Sequence, residues 1–263
     1  MSQASWPGPS EEVLRAEVSR SSQALHRRGW VANHDGNISA RLAPDRLLCT
    51  PTATSKGDIT AAMLLVLDGK GNKLMGTRRP FSELHLHLAA YKARPDIGVV
   101  MHAHPPTATG FAVAYTAIDP TIMAEPVVSL GPTIPMVPFF PPKAEELDAA
   151  LARALQVADV VLLAGHGVLA VGGDCEQALL RLELVEHLAR ITSAALPLGG
   201  ARPLDQTLVA KLAAKGRPKS MPSFGGAPSA QQGGASSSPS SRVESSDRPD
   251  VETLVQDALR RFQ

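Results

Sequence analysis

The 263-residue chain is poor in cysteine: it has only Cys49 and Cys175, and no C-x-x-C pair. Neither a disulfide framework nor a thiolate zinc site can be built from two separated thiols, so any zinc has to be held by nitrogen and oxygen. An excess of one charge is also missing, with 26 basic residues against 25 acidic ones and a formal charge of +1. That balance gives no general attraction to nucleic acid or to an anionic membrane, and neither is expected as a partner. No apolar run approaches the roughly 18 residues needed to span a bilayer, and the opening stretch MSQASWPGPSEEV lacks the basic and then apolar pattern of a signal peptide. A reducing cytoplasmic compartment is the resulting expectation. What the chain does have is 44% hydrophobic residues, enough for one full-sized α/β core with a smaller appendage, which excludes disorder throughout.

Along the chain, Ser10 followed by Glu11 and Glu12 starts a helix that Gly29 stops. The segments HDGNISARL, RLLCTPTATSKGDI and AMLLVLDGKGNKL read as strand pieces joined by Gly-, Asp- and Pro-bearing turns. SELHLHLAAYKA places Leu84, Leu88 and Tyr91 at helical spacing, and a buried strand IGVVMHAH follows Pro95. A second helix carries Leu147, Leu151 and Leu155. VVLLAGHGVLAVG is a second β-rich run, and Asp174 with Gln177 forms a capping box for a long helix.

The stretch GVVMHAHPPTATG sets His102 and His104 two residues apart at the end of a strand. Strand residues two apart share a face, so these imidazoles can serve one ion. His85 and His87 have the same spacing on a helix, where it turns side chains to nearly opposite sides, so they cannot chelate together. His166 stands between two glycines inside an apolar run, and three histidines with an open position suit a catalytic zinc. The bland alternative is that each histidine donates to a backbone carbonyl in the core. Glu83 at the start of its helix can be a weak ligand or general base, or simply a carboxylate favoured by a helix N-terminus. Asn37 after Gly36 can be a turn residue and nothing more.

Taken in order, GWVANHDGNISARL, CTPTATSKGDI, RPFSELHLHLAAYKARPDIGVVMHAHPP and LLAGHGVLAVGGDCEQAL resemble the class II aldolase/adducin family over residues ~10 to ~200. The resemblance implies a three-layer α/β/α sandwich around a mixed, largely antiparallel sheet, assembled as a homotetramer. It implies Zn2+ held by His102, His104 and His166, with Glu83 as the catalytic acid/base. It also implies a sugar phosphate substrate met by Gly36, Asn37, Thr52 and Ser82, and retro-aldol cleavage of a short ketose 1-phosphate. The chain departs from the fuculose-type pattern at Asp35, at Ala53 after Thr52, and at Phe81 before Ser82, which thins the phosphate contacts. Near Met123 and Ala124 no tyrosine matches that family's proton donor. Epimerisation, dehydration and decarboxylation are rival reactions on the same site, and an adducin-like scaffold is the rival without catalysis.

The catalytic part is expected over residues 1–215. Residues 216–247 are rich in Ser, Gly and Pro and read as a flexible linker with a random-coil reach of about 30 Å. Residues 248–263 regain helical periodicity through Val251, Leu254, Val255, Ala258 and Phe262. This tail resembles the encapsulation peptides that dock enzymes on bacterial microcompartment shell proteins; a helix that folds back on its own subunit is the alternative.

Overall fold

A computed structural model of the chain describes residues 8–141 and 144–216. They lie in one unit, Met1–Gly225; the second unit, Gly226–Gln263, and with it most of the expected linker and all of the expected terminal helix, falls outside the described residues. The first helix, α1 (Glu11–Arg27), begins as its sequence predicts, with the Ser10 side chain accepting from Val13 N–H. The strand pieces of the first third become β1 (Asn37–Ala43), β2 (Arg46–Cys49), β3 (Leu65–Asp68) and β4 (Lys73–Met75), an antiparallel series. Next come α2 (Leu84–Ala93), β5 (Val99–Ala103), α3 (Pro106–Val113), α4 (Ala124–Leu130), β6 (Met136–Val137) and α5 (Glu145–Leu155). The hairpin β7 (Val160–Leu163) and β8 (Gly167–Gly172) precedes α6 (Cys175–Ala195) and α7 (Gln206–Lys215). The capping box of α6 forms in both directions: Asp174 accepts from Gln177 N–H, and the Gln177 side chain accepts from Gly173 N–H.

The eight strands make one sheet in the order β4-β3-β2-β1-β5-β8-β7-β6, antiparallel except for the parallel pair β6–β7. Strand alternation divides the core into two apolar layers. Ile38, Ala40, Val99, Met101 and Ala170 pack with Leu14 and Val18 of α1 and Leu182 and Val185 of α6. Val100, Val161, Leu169 and Val171 point the other way, against Ala89 and Ala90 of α2 and Leu151 and Leu155 of α5. The fold is therefore α/β, with helices on both faces of a mixed sheet.

The helix expected around Leu84, Leu88 and Tyr91 forms as α2. Leu84 and Leu88 pack partly buried at the edge of the core, while Leu86, His87, Ala89, Ala90 and Tyr91 are buried. The helices α3, α4 and α7 were not read from the sequence. They are short, and α3 and α4 carry Pro and small residues that blur the helical period.

Candidate active site

The site assembles where β1, β5 and the β7–β8 turn meet the start of α2. Asn37 stands directly opposite His102 in the β1–β5 register, and paired residues in an antiparallel ladder project from the same face. Val99, Met101 and Ala103 take the α6 side of β5, so His102 is turned toward α2. His104 lies just beyond the strand, fixed by its N–H donating to Trp30 C=O. His166 sits in the tight turn between β7 and β8, which brings it alongside the end of β5 because β8 is the neighbouring strand. Two glycines make this approach possible. A Cβ on Gly36, whose φ is +66°, would lie 2.9 Å from His102 O, and one on Gly167 would lie 2.9 Å from Ala103 O and press on the His104 ring.

The three imidazoles converge: one nitrogen from each of His102, His104 and His166 lies within 4.8 Å of the others. His102 Nδ1–H donates to Val168 O at 2.9 Å, so its Nε2 carries the lone pair, and that atom is 3.1 Å from His104 Nε2. Two such nitrogens facing each other repel unless a proton or a cation lies between them, so this donor set fits a metal ion. Burial pushes His102 down to about 3, against the pull of Glu83, and also lowers His104; the rings are neutral near pH 7, the form that ligates.

Glu83 stands at the N-terminus of α2, yet its carboxylate bonds to no helix N–H. Its Oε1 is 2.8 Å from His166 Nε2, its Oε2 accepts from Asn37 Nδ2 at 2.7 Å, and His102 Nε2 lies 3.6 Å away. Burial favours the acid form, but the His166 bond, the His102 charge and the Asn37 bond together hold the carboxyl well below the usual carboxylate range. His102 is charged only in acid, so at neutral pH the two hydrogen bonds carry that effect. Beside Glu83 and His166 opens a cavity of about 230 Å³, walled by Leu86, Pro138, Phe139 and Phe140, with His85 at its edge.

Of the residues singled out in the sequence, Asn37, Glu83, His102, His104 and His166 are brought together, and Gly36 lies against the His102 backbone. Thr52 donates its N–H to Arg79 O and its carbonyl accepts from Thr54; the Ser82 carbonyl is 3.4 Å from His85 Nδ1. Neither is hydrogen-bonded to the triad. Ala53 has φ +52°, so the Thr52–Thr54 turn keeps a left-handed residue without a glycine. Asp35 lies 3.5 Å from His104 Nδ1. Sequence reasoning missed Lys56, which is 1% exposed and ties two loops together by donating to His34 O and Thr54 O, and it missed any role for His87. The signal for His87 was its place one helical turn after Glu83.

Fold and site together define an α/β protein with three imidazoles placed where they can hold a metal ion beside a half-buried carboxylate. The chain belongs to the class II aldolase and adducin family: residues 16–193 match the Class II Aldolase and Adducin N-terminal domain. It is 30% identical over 187 residues to the 3-oxo-tetronate 4-phosphate decarboxylase of Haemophilus influenzae, covering 69% of this chain and 86% of that one. It is 31% identical over 202 residues to the methylthioribulose-1-phosphate dehydratase of Acidiphilium cryptum, covering 72% and 95%. The L-fuculose phosphate aldolase of Escherichia coli is 32% identical over 167 residues, 64% of this chain and 76% of that one. Among solved structures, YgbL of Klebsiella pneumoniae superposes with a TM-score of 0.72 at 28% identity, covering 78% of this chain and 100% of that one. An L-fuculose 1-phosphate aldolase superposes at 0.71 and 26%, covering 77% and 95%.

Proposed function

We propose that this protein is a zinc-dependent lyase that cleaves a short ketose 1-phosphate, of the fuculose or rhamnulose type, to dihydroxyacetone phosphate and an aldehyde. The observation that carries the reading is the half-buried Glu83 carboxylate, hydrogen-bonded to Asn37 and His166 at the focus of three imidazoles. His102, His104 and His166 would hold the ion. When bound, it supplies positive charge opposite the carbonyl and neighbouring hydroxyl oxygens of the sugar, in place of a Schiff-base lysine.

The chain's own residues supply positioning and the proton. As the C–C bond breaks, the hydroxyl on the carbon that becomes the aldehyde gives its proton to water, the bond's electron pair passes to the donor fragment and leaves an enediolate, and Glu83, having taken up a proton from water, delivers it to the donor-fragment carbon; in the synthetic direction the same carboxylate removes it. Gly36, Asn37, Thr52 and Ser82 border the donor end, and Phe139 and Phe140, which line the cavity beside Glu83 and His166, offer an apolar surface to the aldehyde end. The active assembly is a homotetramer.

A second reading is decarboxylation of a phosphorylated 3-oxo acid. It is favoured by the similarity to the 3-oxo-tetronate 4-phosphate decarboxylase. The test is the zinc-loaded protein offered ketose 1-phosphates, their unphosphorylated forms and 3-oxo acid phosphates, with aldehyde and carbon dioxide followed together. Aldehyde release at one equivalent per ketose supports cleavage; carbon dioxide alone, an epimer alone or a dehydrated product alone overturns it. Residues 216–247 serve as a tether and residues 248–263 as an amphipathic helix that docks on microcompartment shell proteins. Deleting residues 217–263 should leave zinc binding and turnover intact and abolish co-purification with shell proteins; loss of the folded oligomer instead refutes the addressing role.

A further inference from the structure

Behind Glu83 runs a line of buried polar groups to which the proposed chemistry gives no part. The Asn37 side-chain Oδ1 lies 2.6 Å from His87 Nε2, His87 Nδ1 lies 2.6 Å from Ser39 Oγ, and Tyr91 O–H donates to Ser39 O at 2.9 Å. His87 and Ser39 are fully buried, and Phe81 closes the open side with its ring 4.8 Å from the imidazole. Nothing in this line lacks a partner: among the described residues the only unsatisfied buried side-chain polar atoms are Ser19 Oγ and Thr109 Oγ1. A helix packed on a sheet can be sealed with apolar groups at no loss of stability, so a satisfied polar line in this place specifies a geometry.

The proton inventory allows one arrangement. A carboxylate only accepts, so Asn37 must present its NH2 to Glu83 and its Oδ1 to His87. His87 Nε2 must then carry the proton. Burial pushes this imidazole down to about 3, so it is neutral and its Nδ1 is a lone pair; the Ser39 hydroxyl, 2.6 Å from that nitrogen and 3.1 Å from the Tyr91 oxygen, turns its one proton to the nearer imidazole. Without the N–H of His87, the Asn37 Oδ1 is left without a donor in a buried place, and the Glu83 bond alone has to hold the amide in this orientation.

We propose that His87 is a positioning residue of this site: its Nε2–H fixes the Asn37 amide with the NH2 toward Glu83 and so holds the carboxylate aimed at the centre of the three imidazoles. The inference rests on the reading of Glu83 as the acid/base group, and the experiment separates the two.

The full-length, zinc-loaded protein is compared with His87→Gln, whose amide N–H can replace the imidazole donor, and His87→Leu, which has no donor. Deuterium exchange from solvent into dihydroxyacetone phosphate reads the Glu83 step without any aldehyde. The leucine variant should exchange about 10- to 100-fold more slowly in kcat with KM within a factor of about two and zinc content unchanged, and the glutamine variant should recover most of the rate. A merely structural role would lower zinc content and stability in step with the rate and would not be rescued by glutamine; that result, or equal rates in all three proteins, overturns the proposal. If the wild type shows no exchange, the Glu83 reading fails on this substrate. Nitrogen NMR of histidine-labelled protein then decides the relay: a proton on Nε2 of His87, with Nδ1 bare, supports it, and a proton on Nδ1 overturns it.

Discussion

His87 makes the stability of the metal-free protein depend on pH in a way that one substitution should erase. Burial takes this imidazole from its ordinary value near 6.5 to about 3 in the folded protein. Between those values the unfolded chain binds a proton that the folded one refuses, so the unfolded state binds more protons and stability rises with pH. The contribution is fully present above about pH 6.5 and is lost as pH falls toward 3. From pH 7 to pH 5 the group passes through about one and a half pH units below its ordinary value, at about 1.4 kcal/mol each, a loss of about 2 kcal/mol. His102 is pushed down equally by burial and adds a similar loss while no metal is bound. Urea unfolding at fixed protein concentration should therefore show a fall of about 4 kcal/mol from these two groups in the wild type, and of about 2 kcal/mol in His87→Gln. Every other titrating group is common to both proteins, so the difference isolates His87. Equal pH slopes for the two would show that the folded protein protonates residue 87 as readily as the unfolded chain does and would refute the argument.

Replacing His166 or His102 by alanine removes a converging nitrogen, and metal content after dialysis should fall from one ion per chain to well below that, with affinity lower by at least about a hundredfold. Glu83→Gln keeps the shape and the imidazoles but removes the base, so metal analysis should be unchanged while turnover drops by about 10² to 10⁴. In Gly36→Ala the new Cβ meets the His102 carbonyl at 2.9 Å in a left-handed backbone; thermal unfolding should report a loss of about 2 kcal/mol or more, with weaker metal binding.

Much of the site was legible because its rules are local. His102 and His104 share a face because a strand repeats every two residues, and the α6 capping box needs only Asp174, Gly173 and Gln177 within one turn. The same local rule that turned His85 and His87 to opposite sides of their helix said nothing of what His87 would touch. Its partners, Asn37 and Ser39, are 50 and 48 residues away, and only the placement of α2 against β1 brings them within 2.6 Å. Lys56 was invisible for a similar reason: a lysine reads as surface until two loops close over it.

By itself the sequence determined which residues can ligate, which strand face carries them, where helices begin, and the family the chain belongs to, since each depends on residue type and short-range periodicity. Tertiary structure alone decided that β5 lies between β1 and β8, so that Asn37, His102 and His166 meet at the start of α2. Strand order is a choice among non-local pairings with similar hydrophobic patterns, and burial, which sets the charge of His87 and His102 and the proton arrangement around Glu83, exists only once that choice is made.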